Sequence, residues 1–130
     1  MALRHYASAP GGPILLPGVP QTLLASPPVS TTGKPVTLLA SVDLTTAPAL
    51  VNAGVDIWFE VDGGAVALAP FGDERSCPAT PYHATLSASI TIPLGAGPHT
   101  FAFRARANPA YPNPVTTGTT TFTVIEHLVP

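Results

Sequence analysis

Apolar and polar residues alternate with a period of two through most of the chain after residue 35, and each alternating run is cut short by Gly, Pro, Asn or Asp. Period two is the signature of a strand with one buried face. Val36, Leu38, Ala40, Val42 and Leu44 alternate with Thr37, Leu39, Ser41 and Asp43. Val55, Ile57, Phe59 and Val61 alternate with Asp56, Trp58 and Glu60, and Asp62-Gly63-Gly64 supplies the positive φ angles of a tight hairpin into residues 65–69. The cleanest run sets Leu86, Ala88, Ile90 and Ile92 against Thr85, Ser87, Ser89 and Thr91. After the turn Gly95-Ala96-Gly97-Pro98, Phe101, Phe103 and Ala105 share one side, opposite Thr100, Arg104 and Arg106. An Asn- and Pro-rich loop over 108–114 leads to a last strand, 119–125, with Phe122 and Val124 inward. Prolines interrupt every candidate helical repeat. Seven or eight short strands at this spacing predict an all-β fold, an antiparallel β-sandwich of the jelly-roll kind, with the strand order left open.

Residues 1–20 read differently. Pro10, Pro13, Pro17 and Pro20 lie beside Ile14, Leu15, Leu16 and Val19, a composition that favours an extended, polyproline-like N-terminal arm. Two readings stay open for it: a first strand leading into the body, or an arm laid across a neighbouring subunit. The expected organisation is therefore an arm over 1–20 and one β-sandwich domain over 21–130. A chain of 130 residues is long enough to bury a core of its own.

Charge limits the partners. Only 9% of residues are charged, the net charge is −2, and Lys34 is the sole lysine, so no basic stripe exists to neutralise a phosphate backbone. No continuous apolar stretch reaches the length of a membrane span. Neither nucleic acid nor membrane is expected as a partner. A surface so poor in charge suits a subunit buried among neighbours. Cys77 is the only cysteine, which excludes an internal disulfide framework and a cysteine-rich metal site.

Asp56, Trp58 and Glu60 form the most chemical-looking constellation, two carboxylates flanking an aromatic. Asp56 and Glu60 lie roughly 13 Å apart along one strand at about 3.3 Å per residue, whereas the carboxylates of a glycosidase sit about 5 to 9.5 Å apart. The bland alternative is a cross-strand row in which Arg104 and Arg106 pair with the carboxylates and cover Trp58; the sharper one is a carbohydrate platform on Trp58. Cys77 lacks an identifiable base, Asp73 and Glu74 lack the spacing of a calcium loop, and His5, His83, His99 and His127 are scattered. No catalytic residue, cofactor or metal is expected.

Three runs carry a resemblance: residues 30–40 (STTGKPVTLLA), residues 57–64 (IWFEVDGG) and residues 94–106 (LGAGPHTFAFRAR). They resemble the head domains of phage virion proteins, which share a strand after T-x-G-x-P-V, a V-D-G hairpin, and an L-x-A-G-x-H-T turn before an aromatic strand. The resemblance covers roughly residues 21–126. It implies a jelly roll similar to the tumour-necrosis-factor and C1q-like trimers, used for capsid decoration, head fibres or tail-tip heads, with no catalytic residues to transfer. No stalk sequence is present in the chain, which fits capsid decoration better than a fibre head.

The expectation that follows is a non-enzymatic homotrimeric cement protein that stabilises a phage shell. Its partners would be itself and the major capsid protein or another virion protein, and its location the virion, after assembly in the host cytoplasm. Ile14, Leu15, Leu16 and Val19 on the arm, with Trp58, Arg104 and Arg106, are the candidate partner-binding residues; the loops 73–82 and 108–117 would face outward. The alternatives are a receptor- or carbohydrate-binding tail head and a monomeric immunoglobulin-like adhesion module.

Overall fold

The computed structural model describes residues 2–8, 14–46, 53–66, 82–112 and 114–128, and among these there is no helix. Eleven strands follow in chain order: β1 (Ala2–Ser8), β2 (Ile14–Leu15), β3 (Gln21–Ala25), β4 (Val29–Thr31), β5 (Val36–Thr46), β6 (Ala53–Val61), β7 (Gly64–Ala65), β8 (Tyr82–Ile92), β9 (Gly97–His99), β10 (Phe101–Pro112) and β11 (Val115–His127). One sheet runs β1-β11-β5-β8, with β2 also on β11; a second runs β3-β10-β6-β7; β4 and β9 form a short ribbon.

The antiparallel pairs are nested. β6 pairs β7, β5 pairs β8, β4 pairs β9, β3 pairs β10, and β1 and β2 pair β11. The chain is thus one long hairpin bent about Asp62-Gly63. Two further pairings, β5 with β11 and β6 with β10, form when that hairpin rolls up. A five-stranded and a four-stranded sheet wound in this way make a jelly roll, which resolves the strand order that alternation left open. The turn has the geometry the sequence demands: φ is 52° at Asp62 and 82° at Gly63.

Between the sheets lies one aromatic-centred core. Phe59, Phe103 and Phe122 are fully buried, with ring centroids 5.7 to 6.4 Å apart, and Tyr6 meets Phe122 edge-on at 5.7 Å. The inward sets of β5, β6, β8 and β10 surround them as the alternation requires. On β11 the alternation changes phase: Val115 and Thr117 are buried, then Thr120, Phe122, Val124 and Glu126. A bulge between Thr117 and Thr120, where Asp43 faces the step at Gly118, restores the inward phase.

Of the two readings left open for the N-terminal segment, the described residues fit a strand leading into the body: Ala2–Ser8 pairs along β11 as an edge strand, Ile14–Leu15 pairs further along the same strand, and Leu16 is buried in the core. The run over 108–114 is not wholly a loop, since β10 continues to Pro112, opposite Ala53, after a register shift beyond Ala107. Proline lacks the N–H for a regular ladder but accepts an extended backbone, so the strand survives with its register broken. The loop containing Asp73, Glu74 and Cys77 lies outside the described residues.

Candidate functional site

The two outer sheet faces differ sharply in chemistry. On the β3-β10-β6-β7 sheet, Arg106 stands directly across from Asp56, and Arg104 across from Trp58. The Nε of Arg106 donates to Asp56 Oδ2 at 2.8 Å. Trp58 Nε1 donates to Glu60 Oε2 at 3.2 Å, and Arg104 Nη1 donates to Thr22 Oγ1 at 2.7 Å. Arg104 Nε lies 3.2 Å from that same Glu60 oxygen, an ion-pair contact without the alignment of a hydrogen bond, and it finds no other acceptor. This is the cross-strand row of paired charges that the sequence offered as the bland reading. Its carboxylates are tied to arginines and its indole N–H is satisfied.

The β1-β11-β5-β8 sheet turns hydroxyls outward. Thr37 meets Thr91 at 2.6 Å and His127 Nε2 at 2.6 Å, Ser41 meets Thr121 at 2.7 Å, and Thr85 donates to Asp43 at 2.8 Å. At the centre the side chains are small, so Ser41, Ser87, Ser89, Thr121 and Thr123 surround a trough of 460 Å³ beside the exposed Leu39. Among the described residues, Arg4 on the edge strand and Asp43 are the charged side chains on this face.

The arm residues separate. Leu15 and Val19 are the most exposed large apolar side chains among the described residues, at 63% and 65%. Ile14 is half-buried, its N–H donating to Thr117 Oγ1 at 3.2 Å, and Leu16 is spent on this chain's own core, anchored by its N–H to Val115 O at 2.9 Å. Pro17 O then accepts from Ala107 N at 2.8 Å, so the segment crosses from one sheet to the other.

One buried ionisable group escaped the sequence reading. Glu126 has no accessible surface. Its Oε2 accepts from the Thr32 N–H (2.7 Å), the Thr32 hydroxyl (2.8 Å) and the Lys34 N–H (3.3 Å), and its Oε1 lies 2.9 Å from His5 Nε2. Burial alone would raise its pKa, but these four donors outweigh it and hold the carboxyl down at about 2. The signal was there: period two from Phe122 and Val124 lands on 126.

His99 joins the hairpin turn to the β9 ribbon, with Nδ1 2.7 Å from Asp62 Oδ2 and Nε2 2.8 Å from Gly95 O. Among the described residues, no three His, Cys, Asp or Glu side chains gather as a metal site requires.

No protein-family model matches the chain, and no curated protein matches it. The fold is similar to that of a chain in the structure of infectious bursal disease virus, Gx strain, with a TM-score of 0.55 and 12% identity over 98% of this chain and 32% of the other. A chain of the Gt strain gives 0.50 and 12% over 98% and 33%. This chain therefore spans about a third of the length of those virus chains. At such identity the likeness is one of fold alone, an antiparallel sandwich of two sheets.

Proposed function

We propose that this chain is a non-enzymatic structural protein of a virus particle, working by packing against copies of itself and against other particle proteins. The observation that carries the reading is the pairing of a jelly roll with one whole sheet face almost free of charge. Such a face is cheap to bury and suits a protein contact, whose centre is depleted of charge. In its finer form the reading is a capsid decoration protein of a phage, a homotrimer on the outside of the shell, with the exposed Leu15 and Val19 facing a neighbour.

Light scattering coupled to size exclusion over a dilution series tests it. A persistent oligomer is the expected result, three copies in the finer form. A monomer at every concentration would remove self-assembly and return the chain to the class of monomeric adhesion modules.

A further inference from the structure

We infer that the outer face of the β1-β11-β5-β8 sheet is a self-contact surface, in which Leu15 of one copy seats in the hydroxyl-lined trough of another. The inference rests on the assembly reading and names the contact within it.

Knob and trough lie on one face. Leu15 stands opposite Thr116, which stands opposite Thr45, while Val115 and Thr117 on either side point into the core. Leu15 therefore projects outward. Ser41, on the trough wall, is four residues along β5 from Thr45, roughly 13 Å away at strand rise. The trough is concave and lined by hydroxyls and alanine, with Leu39 at its side. A concave surface cannot pack on itself, so its occupant must be convex. The face supplies one in Leu15, apolar and 63% exposed. Because knob and trough share one face, two copies engage reciprocally about a two-fold axis.

Area and charge agree. Four strands about 4.8 Å apart and about eleven residues long present roughly 700 Å² per copy, so about 1,400 Å² in a pair, within the range of stable interfaces. The opposite sheet carries Asp56, Glu60, Arg104 and Arg106 outward, whereas among the described side chains this face carries Arg4 on its edge strand and, on β5 between Ser41 and Thr45, Asp43, which accepts from Thr85.

The test uses the full chain in a Cys77→Ser background carrying Leu15→Cys and Ser87→Cys. Mild oxidation is expected to give covalent oligomers that neither single cysteine variant yields in the same amount. Separately, Leu15→Asp and Ser87→Arg are each expected to weaken self-association by about 30-fold or more, the fold-change that corresponds to losing one buried leucine. Leu15→Met is expected to retain it, with circular dichroism melts confirming that all variants fold. An oligomer that persists unchanged in Leu15→Asp and Ser87→Arg, without cross-linking, overturns this contact and leaves the assembly reading standing. A wild-type monomer at every concentration overturns both.

Discussion

His5 closes over Glu126: its Nε2 stands 2.9 Å from Oε1 of a carboxylate that has no accessible surface. His5 belongs to β1, Glu126 to β11, and Thr32 and Lys34 to the turn before β5, so one carboxylate ties three segments together. The position is demanding, because a buried charge is tolerated only when its partners are in place.

Acid should unlock it. The folded pKa is depressed from 4.5 to about 2, so the stabilisation is fully present above about pH 4.5 and is lost as pH falls toward 2. It amounts to as much as about 3 kcal/mol. Urea midpoints measured from pH 7 down to pH 2 should fall along this limb in the wild type. In Glu126→Gln the midpoint should start lower at pH 7 and change less; superimposable slopes would show that another group governs the acid limb.

The pair His99 and Asp62 should respond at the opposite end of the scale. Asp62, then Gly95 O, raises the His99 pKa above 6.5, so its contribution is present below that value and lost as pH rises through the folded pKa. Asp62 is half-exposed, which limits the effect on stability to under about 1 kcal/mol. Proton NMR titration is the sensitive readout: Asp62→Asn should move the His99 pKa down toward 6.5, and an unmoved value would break the link.

Phe59 fills the centre of the sandwich, 5.7 Å from Phe103 and 5.8 Å from Phe122 between ring centroids. Phe59→Ala should cost about 3 to 5 kcal/mol through lost burial and the void left behind. That is a large part of the 5 to 15 kcal/mol typical of a domain, so chemical denaturation should show either a greatly lowered midpoint or no cooperative transition.

At Gly63 the space around an added Cβ is open, yet φ is +82°. Gly63→Ala should therefore cost about 1 kcal/mol from backbone strain alone. Gly63→Asn, a residue that tolerates the left-handed region, should recover part of it. Equal melting temperatures for the alanine and glycine forms would mean that the turn relaxes.

The long alternating runs were legible because one face of each strand is buried and the other is not. Asp62-Gly63 was legible because few dipeptides accept two positive φ angles, and the row of Arg104 and Arg106 over Asp56 and Glu60 because all four fall on outward phases of paired strands. Residues 2–8 gave no such signal: Ala2, Leu3, Arg4 and Ala7 are all exposed on an edge strand, so pairing with β11 sets their conformation. The phase change at Gly118 was hidden because a bulge adds a residue without altering composition. Glu126 was missed for the opposite reason, since a charged residue at an inward phase reads as the end of a strand.

The nesting of the strand pairs bears on how the molecule comes into being. Each pair outward from Asp62-Gly63 joins segments farther apart in sequence, ending with β1 on β11. Closing such distant contacts is slow. During synthesis β1 leaves the ribosome more than a hundred residues before its partner strand is complete. For that interval the sites for Tyr6 and His5 do not yet exist, and the first strand made is among the last to find its place.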